Sequence, residues 1–175
     1  MKSKAAAAFA AVVLTCAAAS FFTVRANDSL PQVSLNTQNL APRSIEELTR
    51  KVVTRDYAYA WQTMAEALEQ NRLDLLDGYF TGTAKQNISR LIADQEKTDV
   101  RVRYQDHGHK LEALFYSPAG DAMQLRDHAR LEIDVMDGPK VIHSEQVDLQ
   151  YMVLMTPGAD RWLVRDLEVV PEAKP

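Results

Sequence analysis

The chain has 175 residues, of which 20 are Lys or Arg and 24 are Asp or Glu. Three of the basic residues and none of the acids lie among the first 26, so the remainder carries 17 basic and 24 acidic side chains, a formal net charge of −7. This acidic balance makes nucleic acid a poor candidate partner, because phosphate binding needs clustered Lys and Arg. The single cysteine, Cys16, lies in the same N-terminal stretch, which leaves the remainder without disulfide or thiol chemistry.

Residues 1–26 have the features of a signal peptide or membrane anchor. Lys2 and Lys4 precede an uncharged apolar run from Ala5 to Val24, and Val24-Arg25-Ala26 offers a cleavage site of the small-x-small type. The run is also about 20 residues long, which just spans a bilayer. Cleavage and retention therefore both stay open. Either one predicts an exported domain, at the periplasmic or extracytoplasmic face of a membrane, that contacts the membrane only through this segment.

Residues 27–43 are polar and show no periodicity, so we expect a linker there. The domain proper is predicted to span 44–170, followed by a short tail at 171–175. No internal repeat divides this span, and its length suits one domain with a single core.

The first part of the domain is predicted to be helical. Ser44-Ile45-Glu46-Glu47 has the spacing of a capping box, and the apolar residues that follow recur as in an amphipathic helix, with a kink or break near 54–56. A shorter helix is expected over 73–80. A second capping box at 83–86 predicts a third helix.

Strands occupy the second part of the domain. From Met123 to Val135 every second residue is apolar except Asp127, and the other register is polar, which is typical of an antiparallel sheet with one solvated face. We predict a two-residue turn at His107-Gly108, a five-residue loop at 117–121 and a three-residue loop at 137–139. Helices first and strands afterwards indicate an α+β domain, with helices covering the apolar face of a curved sheet.

The loop lengths predict which residues lie opposite each other. The turn at His107-Gly108 places Asp106 opposite His109. The loop at 117–121 places three pairs opposite each other: Phe115 and Met123, Ala113 and Leu125, Leu111 and Asp127. The loop at 137–139 gives Val135 and Val141, Ile133 and His143, Leu131 and Glu145, Ala129 and Val147. Between the second and third strands of this arrangement, His109 falls opposite Ala129 and diagonal to Asp127, within side-chain reach.

This order of elements resembles the nuclear transport factor 2-like superfamily, with its cystatin-like α+β cone. The resemblance is carried by a helix with Tyr57, Trp61 and Met64, two shorter helices, long curved strands, and the ending Trp162-Leu163-Val164-Arg165-Asp166-Leu167. It covers about 44–170. With a leader in front, the chain is similar to the exported or anchored branches, such as type IV secretion scaffold domains and domains that face an intermembrane space. The superfamily also includes isomerases, polyketide cyclases and dehydratases.

The predicted registers bring a set of polar residues to the apolar face. Asp127 beside His109 is the candidate catalytic pair, since a buried carboxylate next to a histidine has the chemistry of a general base. The same face gives a candidate ligand-binding set: Tyr104, Asp106, His109, Asp127 and Tyr151. The simpler interpretation is structural pairing, because a buried charge must be compensated. His143 and Glu145 are predicted to point inward near the far end of the sheet.

No metal or cofactor is expected. His107-x-His109 lacks a third ligand at a fixed spacing, and the chain has no phosphate-binding glycine loop, nucleophile elbow or zinc spacing. Two hypotheses remain open. The first is a non-enzymatic scaffold or interaction domain of the cell envelope, with a protein partner or self-association. The alternative is a small-molecule-binding or proton-transferring enzyme, isomerase- or cyclase-like, whose cone holds a small apolar ligand.

Overall fold

A computed structural model describes residues 29–171, which form a curved six-stranded sheet with helices packed on one face. The helical elements are α1 (Glu47–Gln70), a 3₁₀ helix (Leu73–Gly78) and α2 (Gly82–Thr98). The strands are β1 (Val33–Asn36), β2 (Ala41–Pro42), β3 (Val100–Tyr116), β4 (Met123–Asp137), β5 (Lys140–Pro157) and β6 (Trp162–Val169). The sheet order is β1-β3-β4-β5-β6, and β2 pairs with β3 beyond the end of β1.

The predicted linker, 27–43, contains two short strands of the sheet. β1 and β2 both lie parallel to β3, where Leu35 pairs with Leu111 and Ala41 with Phe115. These strands have four and two residues, which is too short for periodicity to distinguish them from a loop. Val33 and Leu35 nevertheless pack against the core.

The helices begin and end differently from the predicted capping signals. Helix α1 runs unbroken over 24 residues, without the kink expected near 54–56. Its cap is Glu46, which makes no side-chain cap bond and instead accepts a bond from Arg43 at 2.8 Å. At α2 the hydroxyl of Thr83 bonds Asp166 of β6 at 2.5 Å rather than capping the helix. Both predicted capping boxes are therefore wrong.

The element predicted as a helix over 73–80 is the 3₁₀ helix, and it ends at Gly78. Phe80 instead forms an isolated bridge with Val164 of β6.

Strand β3 passes straight through His107-Gly108, so the predicted hairpin turn is wrong. The pairing of β3 with β4 has a β-bulge between Asp106 and His109, and residues 100–106 continue along β4. Tyr104 therefore lies opposite Ile133. A glycine between polar residues suits a bulge as well as a turn, and the sequence signal for the two is the same.

The pairing of β3 with β4 near the loop at 117–121 agrees with the prediction except at its end. Ala113 lies opposite Leu125, Leu111 opposite Asp127 and His109 opposite Ala129, as predicted. A second bulge between Ala113 and Phe115 then brings Tyr116, rather than Phe115, opposite Met123.

The turn from β4 to β5 contains two residues, Gly138 and Pro139, with Asp137 opposite Lys140. A bulge between Val135 and Met136 then returns the apolar residues of β4 and β5 to the same face of the sheet. The predicted pairing of β4 with β5 is therefore wrong by two residues, but each side chain lies on the predicted face. The observed pairs are Val135 and His143, Ile133 and Glu145, Leu131 and Val147, Ala129 and Leu149. A two-residue shift preserves the face because the side-chain period of a strand is two.

The core lies between the apolar face of the sheet and the helices, and α1 contributes Val53, Tyr57, Trp61, Met64 and Leu68 to it. No helix within residues 29–171 is long and apolar enough to span a membrane. The predicted leader, 1–26, lies outside the described residues.

Asp56 links α1 to the start of β6 through a hydrogen bond. Its side chain is buried, Oδ2 accepts the backbone N–H of Trp162 at 2.8 Å, and Oδ1 accepts two bonds from the Arg55 guanidinium at 2.9 and 2.8 Å. A buried carboxylate is favourable only when it is bonded in this way.

Replacing Asp56 with Ala leaves the buried N–H of Trp162 without an acceptor. We expect Asp56→Ala to lower the free energy of unfolding by about 2–3 kcal/mol, measured by urea denaturation. The matched control is Asp94→Ala, which removes an exposed carboxylate paired with Lys97 at 2.8 Å and should change stability by less than about 0.5 kcal/mol. Equal losses in the two variants would contradict the role given to Asp56.

Candidate functional site

A chain of polar contacts joins α1 to β3 and β4 inside the core. The hydroxyl of Tyr57 donates to Oδ2 of Asp127 at 2.8 Å, and Nδ1 of His109 lies 2.7 Å from the same oxygen. Nε2 of His109 lies 2.7 Å from Oδ2 of Asp106. We call Tyr57, Asp106, His109 and Asp127 the inner cluster. The structure thus brings together three of the five residues predicted as ligand-binding, including both catalytic candidates.

The bulge at His107-Gly108 makes this arrangement possible. In a regular strand, residues 106 and 109 would point to opposite faces, because side chains alternate. The extra residue of the bulge puts both on the inner face, and the N–H of Gly108 donates to Oδ1 of Asp106 at 2.7 Å. Asp106 and His109 therefore meet as neighbours on one strand, not across the hairpin that the sequence predicted.

The two carboxylates hold a proton on His109. Burial alone lowers the pKa of His109, but its hydrogen bonds to Asp106 and Asp127 and the charges of both carboxylates outweigh burial and raise that pKa to about 9. The imidazolium then donates from both ring nitrogens. A protonated ring has no free lone pair, so at neutral pH His109 cannot accept a proton. Burial also raises the pKa of Tyr57 well above its usual value, which keeps the phenol a donor.

Aromatic side chains surround the inner cluster. The ring of Trp61 lies 4.4 Å from that of His109, and its edge contacts with Tyr151 and Tyr104 have centroid distances of 5.4 and 6.5 Å. Burial raises the pKa of both tyrosines. Tyr104 and Tyr151 were predicted to share this face, and both contact Trp61 there.

The side chains of His109 and Asp127 are both 0% exposed. Oδ1 of Asp127 is also buried and has no hydrogen-bond partner among residues 29–171. The arrangement is therefore able to hold α1 against the sheet through charge-assisted bonds. These bonds are stronger in a dry interior than in water.

His143 and Glu145 do not join the inner cluster. They lie on the part of β5 that extends beyond the helices, where their side chains are 63% and 65% exposed and 3.7 Å apart. No group of three or more His, Cys, Asp and Glu side chains in the described part of the chain is arranged to hold a metal ion.

Sequence patterns did not identify Tyr57 as a member of the inner cluster or Trp61 as its aromatic neighbour. Both residues lie at helical spacing on α1, and both are buried. The sequence signal for this role is the spacing of Tyr57 and Trp61, one turn apart on a helix that must cover Asp127. The phenol can donate a hydrogen bond to that carboxylate, and the indole can pack over it.

No protein-family model matches the chain, and no curated protein matches it. Among solved structures it is similar to the intermembrane space region of the chloroplast protein ARC6, with a TM-score of 0.60 at 12% identity over 74% of this chain and 98% of that chain. ActVI-ORFA from Streptomyces coelicolor has a TM-score of 0.47 at 13% identity, covering 69% of this chain and 96% of its own. A structure from Catenulispora acidiphila in complex with S-DNPA has a TM-score of 0.40 at 19% identity, covering 65% and 90%.

At 12% identity the likeness to the ARC6 region concerns the fold alone. The sheet order, the helices on one face and this likeness show an α+β fold with helices packed on a curved sheet, which is the architecture that the predicted resemblance implies.

Proposed function

We propose that this chain is a non-enzymatic scaffold or interaction domain of the cell envelope. Its N-terminal segment, as a cleaved signal or a retained anchor, places the domain on the extracytoplasmic side of a membrane. The observation that carries the proposal is the complete burial of His109 and Asp127, the two side chains with the chemistry of a catalytic pair. A general base must come within hydrogen-bond reach of the proton it removes, and burial denies a substrate that reach.

The exposed end of the β4–β5 hairpin also supports a role in protein contact. The end of the β4–β5 hairpin extends beyond the helices, and Val141 and Ile142 there are 40% and 52% exposed. Exposed apolar side chains on neighbouring residues of a hairpin end offer a surface for contact with another protein. We therefore assign contact with a protein partner to the outside of the fold.

The alternative is a small-molecule-binding or proton-transferring enzyme that uses the cone. It requires a path from solvent to Asp127 and room beside it. The space around His109 and Asp127 is occupied by Trp61, Tyr57 and Tyr151. In addition, His109 carries a proton at neutral pH, which it would first have to lose. These contacts favour the structural role for the inner cluster.

The proposal is tested by site-specific photocrosslinking of the full-length chain in the envelope of cells that make it. Benzoylphenylalanine at position 142, on the exposed hairpin, should give a crosslinked product of defined mass. The same residue at position 91, where Leu91 on α2 is 41% exposed, is the matched control and should give none. Mass spectrometry of the N-terminus in the same fraction establishes whether 1–26 is removed. Turnover of a small molecule by the purified chain, abolished by Asp127→Asn at unchanged stability, would overturn the proposal.

If the inner cluster is structural, Asp127→Asn should act on stability. The substitution keeps the side-chain shape but removes the charge that compensates buried His109, so we expect the free energy of unfolding to fall by about 3 kcal/mol at pH 7. Urea denaturation measures the loss. Asp148→Asn on the exposed outer face is the control and should change stability by less than about 0.5 kcal/mol.

The proton on His109 predicts a pH dependence. Its folded-state pKa of about 9 lies above the ordinary value of 6.5, so its stabilisation is complete below about pH 6.5 and is lost as the pH rises through 9. We expect the free energy of unfolding to fall over this window by up to about 3 kcal/mol. His109→Gln should flatten the slope of stability against pH. His143→Gln, whose side chain is 63% exposed, should keep it, and a wild-type slope in His109→Gln would refute the assignment.

A further inference from the structure

The outer face of the sheet contains a hollow of about 700 Å³, on the side of the sheet opposite the side chains of the inner cluster. We call it the outer hollow. It crosses four strands from the segment before β1 to β5, and its volume lies in the range of binding sites in proteins. The outer hollow is lined by Gln32, Val33, Ser34, His107, Gly108, His109, Lys110, His128, Ala129, Arg130, Asp148, Leu149 and Gln150.

Gly108, in the β3 bulge, has no side chain to occupy the outer hollow. Gly108 has a φ of +118°, which favours glycine, and a Cβ there would lie 3.3 Å from the carbonyl oxygen of Gln32. That carbonyl accepts the N–H of His109 at 2.8 Å, which fixes the wall of the hollow against the bulge. The hollow is therefore built into the backbone of the sheet.

The charges in the outer hollow are unbalanced. His128 of β4 lies between Lys110 of β3 and Gln150 of β5. Two residues further along β4, Arg130 lies opposite Asp148 of β5. One row away, Arg126 is paired with Glu112 at 3.1 Å.

Lys110 and Arg130, by contrast, have no carboxylate oxygen within 4 Å among residues 29–171, and both are exposed. His107 at the rim lies 3.6 Å from Glu132. The fixed charges within the hollow are thus two cations and one anion, in a chain that is acidic as a whole.

We propose that the outer hollow binds an acidic, extended segment of a partner protein, with its carboxylates on Lys110 and Arg130. The inference rests on the proposed function and names the chemistry of the partner. Four strands about 4.8 Å apart span roughly 14 Å, which matches about four extended residues. Ser34, Gln32 and Gln150 supply neutral groups for the peptide backbone. Nucleic acid fits less well, because two lysine or arginine side chains beside Asp148 do not form the cationic cluster that a phosphate chain needs.

The test measures fluorescence anisotropy of a fluorescein-labelled tetrapeptide of alternating Glu and Asp with the full-length chain in detergent. Lys110→Gln and Arg130→Gln should each weaken binding about fivefold, the size of one exposed ion pair. Asp148→Asn should strengthen it by about twofold or more, because it removes the carboxylate that repels the peptide. Arg126→Gln is the matched control, an outer-face cation already paired with Glu112, and should change the affinity by less than about twofold.

Competition separates the possible sources of the anion. A neutral tetrapeptide of Gln and Asn, inorganic phosphate and a short single-stranded oligonucleotide should each fail to displace the acidic peptide. Displacement by any of them at equal concentration, or equal weakening in Arg126→Gln and Arg130→Gln, would overturn the proposal. Unfolding free energies of all variants should match that of the wild type.

Peptide binding and crosslinking at position 142 test the outer hollow and the proposed function separately. If the acidic peptide does not bind while position 142 still gives its crosslinked product, only the acidic-segment proposal is refuted. If the purified chain turns over a small molecule through Asp127, the function itself is refuted.

Discussion

One buried oxygen, Oδ2 of Asp127, fixes the position of α1 on the sheet. It meets Tyr57 of α1 at 2.8 Å and His109 of β3 at 2.7 Å, so three elements converge on one acceptor. Apolar burial is non-directional, so it does not by itself specify which side chains of α1 and the sheet must meet. A buried carboxylate tolerates few positions of its donors. The polar cluster thus adds directional constraints to the packing.

Aromatic side chains enclose this carboxylate on the inner face of the sheet. A curved sheet under helices leaves space at its centre, and here Trp61 contacts His109, Tyr104 and Tyr151 across that space. The same aromatic contacts exclude water, which strengthens the bonds of Asp127 and makes an uncompensated charge there costly. Packing the aromatic side chains and burying the polar cluster are therefore two consequences of one arrangement.

Alternation in the sequence predicted the faces of the strands well and their registers less well. His109 opposite Ala129 and Leu111 opposite Asp127 are confirmed, because the bulge between Ala113 and Phe115 restores the pairing that a five-residue loop predicted. At Gly138-Pro139 the register differs by two residues, a shift that alternation cannot detect because it keeps every side chain on its face. The sequence could name Asp127 and His109 as a pair. It could not supply Tyr57, whose role depends on where α1 crosses the sheet.

The bulge at His107-Gly108 links the inside of the fold to its outside. On the inner face it brings Asp106 within 2.7 Å of His109, and on the outer face its glycine leaves the hollow beside Lys110 and Arg130. The two faces share backbone atoms: the N–H of His109 donates to the carbonyl of Gln32, which forms the wall of the outer hollow. The backbone of His109 therefore belongs to the wall of the outer hollow, while its imidazole bonds Asp127 on the inner face.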